Sequence, residues 1–88
     1  MKHPMIYCKT TTERLNLIKA IYDAGWQWST KSRAEAINGA EGLDIYPYCY
    51  LNEGREIRFR GDKFGTCGIT FVNSPRHFVE YCKKVGVK

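Results

Sequence analysis

The chain has 88 residues, a formal net charge of +5 at pH 7 and an aromatic content of 14%. That length supports one hydrophobic core and excludes a second, so we expect a single domain over residues 1–88. The hydrophobic fraction of 43% is that of a globular chain, and no stretch approaches the roughly 20 apolar residues that a membrane-spanning helix needs.

The first part of the chain predicts a strand, a helix and a second strand. Met5–Lys9 is a short run of β-forming residues. Thr10 and Glu13 have the spacing of a helix N-cap, apolar residues then recur at helical spacing, and Gly25 stands where a left-handed C-cap belongs. Trp26-Gln27-Trp28 alternates as a strand does. The solvent side of the helix is expected to carry Arg14, Asn16, Lys19 and Asp23.

Residues 29–44 are polar and are expected to form a connector. Ser32 and Glu35 repeat the capping spacing, which predicts one helical turn that ends near Gly39. Loops of this length in a compact domain are often functional. The candidate functional residues of this loop are Lys31, Arg33 and Glu35.

Tyr46–Leu51 and Glu56–Arg60 predict a β-hairpin. A turn centred on Glu53-Gly54 places the tyrosines of the first arm on the same face as Ile57 and Phe59, and therefore in the core. A three-residue loop would reverse the two faces, and that alternative stays open. The tyrosines concerned are Tyr46, Tyr48 and Tyr50.

The last part of the chain predicts a loop over Gly61–Gly68, a strand over Ile69–Val72 and a final helix. Ser74 is the expected N-cap of that helix, with Pro75 at its first position. Together, the elements predict an α+β fold: a two-layer sandwich with a mainly antiparallel sheet of about four to five strands and two helices on one face.

The four cysteines are expected to be free, buried thiols of a protein in a reducing compartment, since no secretion signal precedes them. They lack the close pairing of zinc ligands, so we predict no metal and no other cofactor. The sequence has no motif of a catalytic nucleophile and no pair of carboxylates in a recognisable catalytic motif. We therefore predict a cytoplasmic binding protein, not an enzyme and not a membrane protein. Sequestering or hydrolysing a small molecule, and forming a homodimer, remain open alternatives.

Nucleic-acid binding is the alternative function. Its candidate residues are the basic residues of the hairpin and of the following loop: Arg55, Arg58, Arg60 and Lys63. Arg58 and Arg60 are expected on the face opposite the tyrosines. If the tyrosines were exposed instead, the sheet would offer them to bases for stacking, as single-strand binders do. The order of helix, three strands and helix resembles double-stranded-RNA-binding domains in topology alone.

Taken whole, the chain resembles the small accessory (early) proteins of tailed bacteriophages. The features that carry this resemblance are Gly25-Trp26-Gln27-Trp28 after a helix, the Tyr46–Leu51 strand, and Ser74-Pro75 before Phe78. The resemblance implies a stoichiometric inhibitor or modulator of a host protein, such as a defence protein, in the cytoplasm of a bacterial host cell. A protein partner is therefore the first functional hypothesis.

Overall fold

The computed structural model describes residues 3–61 and 69–87. The strands are β1 His3–Tyr7, β2 Tyr48–Leu51, β3 Ile57–Arg60 and β4 Ile69–Val72. The helices are α1 Thr11–Asp23, α2 Arg33–Asn38, a 3-10 helix Glu41–Ile45 and α3 Pro75–Val85. None of the helices in these ranges combines the length and the apolar character that crossing a membrane demands.

The strands form one sheet in the order β3-β2-β1-β4. β1, β2 and β3 are antiparallel neighbours, whereas β4 lies parallel to β1. The predicted α+β class is confirmed. The finer description, a mainly antiparallel sheet of four to five strands, is not: three strands are antiparallel, the fourth is parallel, and Trp26–Trp28 forms no strand.

Helix α1 forms where the capping signals predict it. The Thr10 hydroxyl accepts a hydrogen bond from the Glu13 backbone N–H (3.2 Å), and the Glu13 carboxylate accepts one from the Lys9 N–H (2.7 Å). These contacts satisfy N–H groups that have no partner inside the helix. Gly25 follows the helix with φ +89°, a conformation that glycine adopts without steric cost.

The helices α1 and α3 pack on one face of the sheet, which we call the inner face. The buried residues between them come from β1 and the position after it, from β2 and β3, and from both helices: Ile6, Cys8, Leu17, Ile21, Cys49, Leu51, Ile57, Phe78 and Cys82. A second cluster lies under α2 and the 3-10 helix and contains Ile18, Ala36, Ala40 and Leu43. Burial of these side chains is the main stabilising contribution to the fold.

Arg14 is buried, with 2% of its surface exposed, so its predicted place on the solvent side of α1 is wrong. Its guanidinium donates to the backbone oxygens of Cys8 (3.1 Å) and Ala40 (3.3 Å), to the Thr11 hydroxyl (3.0 Å) and to the Asp44 carboxylate. It therefore connects the end of β1 with the 3-10 helix. A buried charge is tolerated only with such partners.

The hairpin register differs from the predicted one by one residue. Tyr50 lies opposite Arg58 and Leu51 lies opposite Ile57, because the loop has three residues and not two. The Arg55 N–H donates to the Asn52 oxygen (2.9 Å), which closes a type I turn, and Arg55 has φ +62°. A shift of one residue exchanges the two faces of a strand.

The alternating residues Trp26-Gln27-Trp28 do not form a strand, because the Tyr22 hydroxyl forms hydrogen bonds with the backbone of this segment. This hydroxyl accepts from the Trp28 N–H (3.1 Å) and donates to the Lys31 oxygen (2.6 Å). The Trp28 ring packs edge-on against Phe59, with ring centroids 4.9 Å apart. The segment therefore has an irregular, hydrogen-bonded backbone and packs beside β3.

Candidate nucleic-acid interface

The face of the sheet opposite the helices, which we call the outer face, carries aromatic and basic residues together. Strand pairing aligns Tyr7 with Tyr48, Tyr48 with Arg60 and Tyr50 with Arg58. Residues directly opposite each other in a sheet share a face. The prediction that the tyrosine stripe belongs to the core and lies opposite the arginines is therefore wrong, and the open alternative, in which a three-residue loop reverses the faces, is correct.

Tyr7 and Tyr48 form the aromatic part of this surface. Tyr7 is 50% exposed and Tyr48 is half-buried. Their ring centroids are 5.0 Å apart and their planes are tilted by 46°, a favourable geometry for two aromatic rings. Tyr7 thus contacts Tyr48 and still leaves half of its surface to solvent, where it offers apolar area to a ligand.

Arg58 lies at the border between the outer face and the free edge of β3, the edge that pairs with no strand in residues 3–61 and 69–87. Its guanidinium donates to the Glu56 carboxylate (3.1 Å) and to the Ile57 backbone oxygen (3.4 Å). The side chain of Arg58 is 39% exposed and that of Glu56 is 48% exposed, so solvent screens the pair and it contributes little to stability. A guanidinium has five donor hydrogens, and the remaining ones are available to a phosphate.

The other basic candidates fall in different places. Arg60 occupies the outer face opposite Tyr48. Arg55 is exposed at the tip of the hairpin, where its guanidinium lies near Gly86. Lys63 lies outside the described residues. The predicted basic cluster is therefore brought together at Arg58 and Arg60, and Arg55 is separated from them.

The segment 29–44 contains the predicted helical turn, which is α2 and is capped by Gly39. It is more than a polar connector, because α2 and the 3-10 helix bury part of it against α1. Glu35 completes a capping box with Ser32, and the hydrogen bonds from Ser32 lower the pKa of the Glu35 carboxyl. Arg33 forms an exposed ion pair with Asp23 (2.6 Å). Lys31 lies 5.3 Å from the centre of a Trp28 ring. Each of these three candidate residues thus has a local structural contact, and the structure does not bring them together as a site.

The described cysteines are buried inside the core, as predicted. Burial raises the pKa of the Cys8 thiol to about 11 and that of Cys82 to about 12. Burial also raises the pKa of Cys49, and the neighbouring Cys8 and Cys82 add to the effect. Thiols with raised pKa values are poor nucleophiles and poor metal ligands. Over residues 3–61 and 69–87, no three His, Cys, Asp or Glu side chains converge as a metal site.

Two residues of the site were not among the predicted ones. For Tyr7 the available signal is its place between Ile6 and Cys8, which are both buried, because this alternation puts Tyr7 on the other face. Glu56 was missed as the partner of Arg58. The available signal is the i, i+2 spacing of Glu56 and Arg58 in the predicted strand Glu56–Arg60.

Comparison of the chain with known protein families, with curated proteins and with solved structures finds no match. The resemblance to bacteriophage accessory proteins therefore stays a prediction.

Proposed function

We propose that the protein binds single-stranded nucleic acid on the outer face of its sheet. The observation that carries this proposal is the sharing of one face by Tyr7, Tyr48 and Arg58, while α1 and α3 occupy the other face. Exposed aromatic rings beside guanidinium groups are what single-strand binding surfaces use. A duplex offers only base edges, so such rings favour an unpaired strand.

Each residue type has a separate role in this proposal. The Tyr7 ring stacks on a base, and the contact with the Tyr48 ring holds Tyr7 in position. Arg58 contacts the adjacent phosphate, and this contact replaces its weak pair with Glu56. The net charge of +5 adds a longer-range attraction to the polyanion, which salt screens.

The proposal is tested by fluorescence anisotropy with labelled single strands of DNA and RNA of twelve nucleotides, at 50 and 200 mM salt. We expect binding that weakens with salt, and Tyr7→Ala is expected to weaken it by about 1–3 kcal/mol, the contribution of one stacked base. Arg58→Ala should also reduce the slope of log K against log salt by about 0.7, the value for one phosphate contact.

The matched controls lie on α3, on the helical side. Arg76 also pairs with a glutamate, Glu80 (3.3 Å), so Arg76→Ala removes the same charge and a similar ion pair. Tyr81 has Lys84 5.5 Å from its ring centre, so Tyr81→Ala removes a second partly exposed tyrosine. Equal losses in the α3 variants and the outer-face variants would contradict the proposal, as would the absence of binding at 50 mM salt.

One observation favours a protein partner as the second candidate function. Ile45 and Tyr46 are adjacent in the chain and are 69% and 45% exposed. Exposed apolar residues that lie together are typical of interaction surfaces. The test is a pull-down from bacterial lysate with the wild type, Tyr7→Ala and Ile45→Ser plus Tyr46→Ser. We expect the first two to retain a bacterial protein that the double variant loses. This result would support an inhibitor or modulator of a host protein and would identify its contact.

A further inference from the structure

A cavity of about 480 Å³ lies beside the free edge of β3. One wall is the segment after α1, with Trp26, Gln27, Ser29 and Thr30, and the opposite wall includes Ile57 and Arg58. The volume falls within the roughly 300–1,000 Å³ range of small-molecule sites. Arg58 belongs both to this cavity and to the outer face, so the two surfaces are continuous.

The first wall is held in a fixed conformation. The Tyr22 hydroxyl bridges the Trp28 N–H and the Lys31 oxygen, at 3.1 and 2.6 Å, and so ties the loop between them at both ends. Ser29, inside this loop, has φ +56°. A non-glycine residue keeps this conformation only where its surroundings impose it. The cavity is therefore formed before a ligand arrives.

The second wall contributes a backbone donor, the Ile57 N–H, that points towards the cavity. The Asn52 N–H donates to the Glu56 oxygen (3.0 Å), and the next opposed pair is Leu51 with Ile57. Hydrogen-bonded and non-hydrogen-bonded pairs alternate along antiparallel strands. The backbone N–H and C=O of Ile57 therefore point away from β2, towards the free edge where the cavity lies.

We propose that this cavity receives one unstacked nucleobase of the bound strand and reads its hydrogen-bonding edge. The inference rests on the proposed function. The Gln27 amide has both a donor and an acceptor, Ser29 and Thr30 have hydroxyls, and Trp26 is the aromatic residue of the lining. Stacking on Tyr7 tolerates every base, whereas hydrogen bonds to a base edge distinguish one base from another.

The route of the strand follows from the position of Arg58. A phosphate held by this guanidinium lies between the outer face and the cavity, so the nucleotides on its two sides reach different surfaces. One base stacks on the tyrosines, and its neighbour enters the cavity. This arrangement separates affinity, supplied by the outer face, from base preference, supplied by the cavity.

Two measurements test the inference. The first titrates the four nucleoside monophosphates into ¹⁵N-labelled protein and follows the Gln27 side-chain amide and the Ile57 backbone amide by NMR. We expect one of the four to shift both signals most. The second compares homopolymeric single strands by anisotropy, where we expect a preference of about tenfold for the same base, the effect of one or two hydrogen bonds.

Gln27→Ala plus Thr30→Ala should abolish that preference. Asn38→Ala, which removes an exposed amide on α2, should leave the preference intact. Homopolymers bound equally well, with an unmoved Ile57 amide, would overturn the cavity inference and leave the proposed function standing. If no strand binds, the proposed function is overturned, and the cavity inference, which rests on it, fails as well.

Discussion

At the scale of single residues, Arg14 shows that position along a helix outweighs residue type. Leu17, Ile18 and Ile21 follow it at spacings of three, four and seven residues and are all buried, so Arg14 lies on the same stripe. Its charge predicted a solvent-exposed position, but the guanidinium is buried and donates to four acceptors. Arginine suits this place because its donors spread in a plane and reach several oxygens at once.

We predict that Arg14→Met lowers the free energy of unfolding by about 2–4 kcal/mol, because the buried backbone oxygens of Cys8 and Ala40 lose their donor. Arg14→Lys should lose less, since its ammonium group reaches some of the same acceptors. Urea unfolding followed by circular dichroism measures both. Arg76→Ala on the surface of α3 is the control and should change stability by less than about 0.5 kcal/mol. A similarly small change in Arg14→Met would contradict the structural role.

At the scale of elements, the register of the hairpin determines which side chains lie on the outer face of the sheet. The glycine signal at Gly54 favoured a two-residue turn, whereas the chain places the left-handed conformation at Arg55, with φ +62°. The added loop residue moves Cys49 and Leu51 into the core beside Ile57, which both registers place there. It also brings the tyrosines and arginines to one face, and the proposed function depends on this exchange.

The register is tested by Arg55→Gly. Relief of about 1–2 kcal/mol of left-handed strain exceeds the entropic cost of about 0.5–1 kcal/mol for an added glycine, so we expect a gain of about 0.5 kcal/mol in thermal or urea unfolding. Arg55→Ala removes the same charge without relieving the backbone, and it should give no gain. Destabilisation by Arg55→Gly would indicate the two-residue turn, in which residue 55 has extended backbone.

At the scale of the whole molecule, local signals predicted the elements, but they did not predict the surfaces. The caps at Thr10, Ser32 and Ser74 depend on contacts within four residues and are confirmed. The burial of segment 29–44 and the irregular path of Trp26–Trp28 depend on distant partners, the second core cluster and the Tyr22 hydroxyl. Such contacts leave no periodicity in the sequence, so these two features could not be predicted from it, whereas Arg58 and the exposed tyrosines of the outer face were among the sequence-based alternatives.

The buried thiols give the whole molecule a pH dependence. A cysteine has an ordinary pKa of 9.0, whereas burial raises that of Cys8 to about 11 and that of Cys82 to about 12 in the folded protein. The unfolded chain therefore releases these protons at a lower pH than the folded protein does, and the free energy of unfolding falls as pH rises. The contribution of each thiol is complete below about pH 9 and is lost as pH rises through its folded pKa.

We expect each thiol to lower the free energy of unfolding by about 1 kcal/mol between pH 9 and pH 10, measured by urea unfolding at a series of pH values. Tyrosines and lysines titrate nearby, so the informative quantity is the difference in slope between the wild type and Cys82→Ala. This variant leaves a cavity and is less stable at every pH, but its stability should fall less steeply above pH 9. Parallel curves would contradict the raised pKa of Cys82, which follows from its burial in the same core cluster as Phe78 and Leu17.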